Sequence, residues 1–164
     1  MNYHNIYHCD MLNGNGLRVT LWVAGCEHHC ANCHNPATWD INSGIPFDVA
    51  AMNELLDALN QDYISGLTLS GGDPMHIDNR EEILRICDVV KQKFPKKNIW
   101  MYTGYTFEEI QDSPILQYID VLVDGPYIEE QRDITMKFAG SKNQRLISVK
   151  ETLKQGQIIQ YKIN

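Results

Sequence analysis

Apolar and polar positions along this chain follow two alternating periods. Arg18–Val23 (Arg-Val-Thr-Leu-Trp-Val) is a short run rich in β-branched and apolar residues, which predicts a buried strand. Phe47–Asn60 changes to helical spacing, with Val49, Met52, Leu55, Leu56 and Leu59 on one side. Gly66–Ser70 reads as a strand stopped by Gly71-Gly72-Asp73-Pro74. Asn79–Phe94 carries Ile83, Cys87, Val90 and Phe94 at helical spacing, and Asp78 with Glu81 has the form of a cap. Asn98–Tyr102 is the next strand, followed by Thr106 and Glu109 as a capping box. Val121–Val123 is a strand closed by Asp124-Gly125-Pro126, and Leu146–Val149 is a further one. Ile158–Ile163 is the weakest strand candidate.

Strands that alternate with helices imply βαβ units and a mostly parallel sheet, an α/β fold. The 164 residues make one domain, 1–164. A closed eight-fold barrel takes about 250 residues, so an incomplete, laterally open (βα) barrel or an open α/β sheet remains. In either, the loops after the strands carry the chemistry. Those loops are Gly25–Asn35, Ser70–Pro74, Thr103–Tyr105 and Asp124–Pro126.

Hydrophobic residues at 43% and charged residues at 21% suit a globular protein that folds without disulfides. The net charge of -7 and the absence of a basic face exclude nucleic acid as a partner. No stretch approaches the roughly 18 apolar residues of a membrane helix, and Met1–Asn5 does not open a signal peptide. A cytoplasmic protein with no membrane partner is expected.

Three of the five cysteines lie in Cys26-Glu27-His28-His29-Cys30-Ala31-Asn32-Cys33, with spacing C-x3-C-x2-C directly after a strand. In a reducing compartment this pattern points to metal or catalysis. Thiolates suit iron–sulfur clusters and zinc. Three cysteines on a 4Fe–4S cluster leave one iron without a protein ligand, an open position for a substrate. Zinc on three cysteines and one of His28, His29 or His34 fits the spacing equally well. Cys87 lies on an apolar helical stripe and Cys9 lacks a motif, so both read as structural. His28 and His29 read as solvated surface, and the lysines of Lys91–Lys97 as a solvated helix end.

The triad is similar to the signature of the radical S-adenosylmethionine enzymes. Asn13-Gly14-Asn15-Gly16-Leu17-Arg18, Gly25-Cys26, Cys33-His34-Asn35-Pro36 with Trp39, Ser70-Gly71-Gly72-Asp73-Pro74, Tyr102-Thr103-Gly104-Tyr105, Val123-Asp124-Gly125-Pro126 and Gly140-Ser141-Lys142-Asn143-Gln144-Arg145 together resemble the glycyl-radical enzyme activases of that family. The short chain and this set look most like the activases that act on an anaerobic ribonucleoside-triphosphate reductase. Asn32 stands where many relatives carry an aromatic residue, and Asp73 where many carry glutamate.

The resemblance implies a 4Fe–4S cluster on Cys26, Cys30 and Cys33, and S-adenosylmethionine against Asn32, Cys33, His34, Gly71, Gly72, Asp73 and Asp124. Gly71-Gly72 would receive the methionine amino group, with Asp73 bonding the ammonium. Reductive cleavage to a 5′-deoxyadenosyl radical would create a glycyl radical on the reductase. An electron donor such as flavodoxin is implied, with no catalytic residue beyond the cluster. The same resemblance admits a pyruvate formate-lyase activase, or a small-molecule enzyme such as the one forming 7-carboxy-7-deazaguanine. Asp124 reads equally as a turn residue. Arg18 is a charge partner for target or cofactor, or an exposed strand residue. Tyr102 and Tyr105 flank the cofactor or pack. Asn143, Gln144 and Arg145 have no definite role.

Overall fold

The computed structural model describes residues 1–164. The chain runs β1 (Asn2–Asp10), β2 (Arg18–Val23), β3 (Ile45–Pro46), α1 (Val49–Leu59), β4 (Gly66–Gly71), α2 (Arg80–Lys93), β5 (Asn98–Tyr102), α3 (Phe107–Ile110), β6 (Val121–Asp124), β7 (Arg145–Ser148) and α4 (Val149–Gln155). All strands join one sheet in the order β3-β1-β2-β4-β5-β6-β7. The central four, β2, β4, β5 and β6, are parallel. The flanks are antiparallel, β1 on β2, β3 on β1, and β7 on β6.

Successive side chains of a strand point to opposite faces, so each central strand serves two environments. Val19, Leu21 and Val23 of β2, Leu67 and Leu69 of β4, Ile99 and Met101 of β5, and Leu122 of β6 belong to one buried cluster. That cluster also takes Leu55 and Leu59 of α1, Ile83, Ile86 and Val90 of α2, Phe107 and Ile110 of α3, and Val149 of α4. All four helices therefore cover the same face. Each fully buried leucine there contributes roughly 1.5–3 kcal/mol.

The alternate residues form layers on the other face. Arg18, Gly66 and Asn98 are in register, as are Thr20, Thr68, Trp100 and Val121. Trp22 pairs with Ser70 and Tyr102 with Val123 one step further on. No helix covers this face. Phe138 and Tyr161 instead meet Trp100 edge-on at 5.3 and 5.2 Å.

Arg18 closes the end of this face where the parallel strands begin. It is neither exposed nor free to reach a ligand, because it is 0% accessible. Its Nε donates to Thr68 Oγ1 (2.7 Å), Nη1 to Asn15 O (3.0 Å) and Nη2 to Leu67 O (2.8 Å), while the guanidinium lies over Trp100 at 5.3 Å. Burial lowers its pKa to about 10. Thr68 Oγ1 donates to Asn13 O (2.7 Å), which pins the Asn13–Gly16 turn over the plug. The turn needs its glycines: a Cβ on Gly14 (φ +133) would lie 2.7 Å from Arg18 Cδ, and one on Gly16 (φ +81) 2.2 Å from Ser65 Oγ. The Asn-Gly-x-Gly-x-Arg element is thus a structural stopper.

Three expectations differ locally. The cap of α2 is not Asp78 with Glu81: the N-cap residue is Asn79, whose amide instead donates to Ala24 O (2.8 Å) and Asp73 O (3.1 Å). Ile158–Ile163 forms no strand, only a bridge between Ile147 and Gln160. The lysines Lys91 and Lys97 are not merely solvated. Lys91 pairs with Asp120 (2.8 Å), and Lys97 donates to Gln61 O (2.8 Å) and Ile64 O (2.6 Å). No helix is long and apolar enough to cross a membrane.

Candidate metal and cofactor site

The loops that follow β2, β4, β5 and β6 surround a cavity of about 1030 Å³. Cys26, Cys30, Cys33 and His34 line it from the first loop, Gly71, Gly72 and Asp73 from the second, Thr103 and Gly104 from the third, and Gly125 and Tyr127 from the fourth. Residues up to 140 positions apart in sequence, His4 and Gln144, thereby line one cavity.

The cysteine loop leaves β2 through Gly25 N–H to Thr38 O (2.7 Å) and Cys26 N–H to Trp39 O (3.0 Å). Cys33 N–H turns back to Cys30 O (3.1 Å), and Cys33 Sγ accepts from Asn35 N–H (3.4 Å). The three thiols are free and half-buried. Burial pushes the Cys26 thiol up to about 11, with further upward contributions from Asp73, Cys30 and Cys33 that a backbone hydrogen bond from His28 opposes.

Two loop residues occupy the left-handed region, His29 (φ 46) and Asn32 (φ 57). Asparagine adopts that region more readily than an aromatic residue, which accounts for Asn32. Asn32 is exposed and does not line the cavity, whereas the exposed His34 does, with its ring 5.1 Å from Tyr127. His29 is exposed and lies on Trp39 at 4.6 Å.

The glycine pair joins the end of β4 to this loop. Gly72 N–H donates to Val23 O (2.8 Å) and Asp73 N–H to Gly25 O (2.7 Å). A Cβ on Gly71 would lie 2.4 Å from Val23 N, and one on Gly72 2.5 Å from Gly25 O. Only glycine allows that approach.

Asp73 is 1% exposed, and its carboxylate accepts from Met75 N–H (2.8 Å), Thr103 Oγ1 (2.8 Å), Gly104 N–H (3.0 Å) and His28 Nε2 (2.7 Å). His28 is therefore not a solvated surface residue. The bond to Asp73 raises its basicity above that of an ordinary imidazole, and desolvation opposes the rise.

Asp124 is 1% exposed and does not line the cavity. Its carboxylate accepts from Phe107 N–H (2.7 Å) and from Arg145, whose guanidinium also reaches Glu108 (2.8 Å). The neighbouring motif acquires a role. Gln144 accepts from Gly140 N–H (2.8 Å) and donates to Gly125 O (3.1 Å), and Asn143 donates to Pro126 O (2.7 Å). Asn143-Gln144-Arg145 thus staples the loop after β6 to the Gly140 loop.

Tyr102 and Trp22 also line the cavity, and Tyr102 Oη and Trp22 Nε1 are buried without a protein partner. Burial holds the Tyr102 phenol well above its ordinary range. Tyr105 packs edge-on against His28 at 4.6 Å. Cys87 is buried in the core as expected, but Cys9 is exposed and lines the cavity rim.

The donor set fits an iron–sulfur group. Three soft thiols line one cavity, and burial disfavours the Cys26 thiolate until a cation arrives. A bound metal reverses that balance and takes the thiolates directly.

Fold and loop together define an α/β protein built around one iron–sulfur site. The family described as a 4Fe-4S single cluster domain matches residues 12–147. The chain is 47% identical over 148 residues to the anaerobic ribonucleoside-triphosphate reductase-activating protein of Enterobacteria phage T4, covering 90% of this chain and 94% of that one. It is 45% identical to the protein of that name from Vibrio cholerae and 40% identical to that of Escherichia coli K12, each match covering 88% of this chain and 96% of the relative. The chain belongs to the family of anaerobic ribonucleoside-triphosphate reductase-activating proteins.

Proposed function

We propose that this chain activates an anaerobic ribonucleoside-triphosphate reductase as a radical S-adenosylmethionine enzyme. The observation that carries this reading is the single loop that lines the strand-end cavity with Cys26, Cys30 and Cys33. These three residues would hold a 4Fe–4S cluster. With S-adenosylmethionine bound, such a cluster supplies one-electron cleavage to methionine and a 5′-deoxyadenosyl radical, which removes a hydrogen atom from a glycine of the reductase.

The chain's own residues bind, orient and shield. Gly71 and Gly72 allow backbone to approach the ligand closely, and His34 with Tyr127 forms another part of the lining. The Arg18 plug excludes water from below. On this reading the sheet is the wall of a laterally open (βα) barrel.

The lining favours a protein substrate over a phosphorylated metabolite. It contains no lysine or arginine, and its two carboxylates, Asp10 and Asp73, are 7% and 1% exposed. A nucleotide substrate would need cationic groups for its phosphates. At the rim Tyr7, Met11 and Leu12 are 48%, 70% and 82% exposed, an apolar lip suited to a protein surface. The reading places the reaction in the cytoplasm, with a flavodoxin-like electron donor.

The test is anaerobic reconstitution followed by reduction with S-adenosylmethionine and the reductase. A glycyl doublet in the electron paramagnetic resonance spectrum, with release of 5′-deoxyadenosine, is expected. A doublet only with pyruvate formate-lyase would change the partner, and no 5′-deoxyadenosine from cluster-loaded protein would end the mechanism. Replacing Cys26, Cys30 or Cys33 by alanine should each abolish the cluster absorption.

A further inference from the structure

Asp73 has no free capacity for an incoming ligand. A carboxylate offers about four acceptor sites on its two oxygens. Met75 N–H, Thr103 Oγ1, Gly104 N–H and His28 Nε2 fill them, at 2.7 to 3.0 Å. Thr103 Oγ1 in turn accepts from Tyr105 N–H (3.2 Å), which fixes the direction of its own proton. At 1% exposure the group is sealed.

The fourth of those donors lies on the cysteine loop. A carboxylate only accepts, so His28 Nε2 carries the proton. The imidazole sits in a slot made for it. A Cβ on Gly104 would lie 2.4 Å from His28 Cδ2 and 2.7 Å from Cγ and Nε2, so the missing side chain of Gly104 is the floor of the slot. The Tyr105 ring forms one side at 4.6 Å. One hydrogen bond and two packing contacts therefore grip the residue midway between Cys26 and Cys30. The next residue, His29, has a left-handed backbone, which a loop without such a grip would relax.

We propose that Asp73 is a positioning residue that acts through His28: together with the Gly104 floor it latches the Cys26–Cys33 loop across the ends of β4 and β5, so that the thiols are arranged before metal arrives. This rests on the reading that those thiols hold the cluster. Partners that orient ligands in this indirect way are worth about 10–100-fold in metal affinity.

The experiment compares the full-length protein with His28→Leu, His28→Gln and Gly104→Ala after anaerobic reconstitution. Iron and sulfide per chain are measured, then the rate of cluster loss to an external chelator, and the thermal midpoint of each metal-free protein. His28→Leu should lose its cluster at least about tenfold faster than the unsubstituted protein. His28→Gln keeps an N–H donor for Asp73 and should return to within about threefold, a rescue that general destabilisation would not produce. Gly104→Ala leaves every hydrogen-bonding group in place but pushes the imidazole out, and should behave like His28→Leu. It also carries the test if His28→Leu does not fold. Cluster loss at the unsubstituted rate in both His28→Leu and Gly104→Ala would overturn the latch while leaving the cluster reading intact. Failure of the unsubstituted protein to take up iron and sulfide would overturn both.

Discussion

The two faces of the sheet use the same strands and nearly the same burial, yet they are built from different chemistry. On the helix face, Leu67, Leu69, Ile99, Met101 and Leu122 pack in one apolar cluster. On the other face, Arg18, Thr20 and Thr68 are equally inaccessible but polar, and hydrogen bonds hold them in place. Packing holds the first face together, and hydrogen bonds hold this part of the second. The difference shows where fold ends and site begins: at the bottom of the polar face the Arg18, Thr20 and Thr68 side chains are all paired, whereas at the cavity Tyr102 Oη and Trp22 Nε1 have no protein partner.

Neighbouring residues of β4 give the sharpest contrast. Leu69→Ala opens a cavity in the helix-covered cluster and should cost about 2–5 kcal/mol in denaturant unfolding. A loss below 1 kcal/mol would mean that this face is loosely packed. Thr68→Val keeps the volume but strips Arg18 Nε of its acceptor and Asn13 O of its donor. It should cost about 1–3 kcal/mol, although nothing shrinks. Tyr102→Phe removes a buried hydroxyl that no protein group satisfies, so stability should hold or rise by up to about 1 kcal/mol. A clear loss there would show that the hydroxyl has a partner, such as an ordered water.

The smallest effect concerns pH. Burial pushes the Asp10 carboxyl up, but hydrogen bonds from Leu12 N–H, Asn13 and Thr20 outweigh it and hold the group below its ordinary value. A depressed carboxyl stabilises above its unfolded pKa of about 3.9, and that contribution fades as pH falls through the folded value. Stability should therefore drop in acid, and Asp10→Asn should flatten the drop below about pH 4. An unchanged acid limb would place the sensitivity elsewhere, for example at Asp120, where burial is likewise outweighed by bonds from Lys150 and Lys91.

The same contrast explains what could be read from the amino-acid order. Strands β2 and β5 fall at Arg18–Val23 and Asn98–Tyr102 as expected, because central parallel strands are dense in apolar and β-branched residues. Strand β1 gave no signal. Its buried residues are Tyr3, Ile6 and Asp10, and register shifts at Tyr3/Asn5 and Tyr7/Asp10 break the two-residue period. Helix α4 was hidden because Val149 ends a strand-like run and begins the helix. The capping box Thr106–Glu109 was legible because its partners are three residues apart. The Asp73–His28 pair was not, since its partners lie 45 residues apart and meet only through the sheet. Chemistry confined to one loop shows in the spacing of its residues, but contacts between loops need the fold.

The Arg18 stopper also bears on the order of events. With one end of the polar face sealed by a 0% exposed side chain and a pinned turn, the cavity has no exit on that side. On the proposed reading, a protein partner seated over the mouth would cover any smaller molecule already bound beneath it. Small products would then wait for the partner to withdraw.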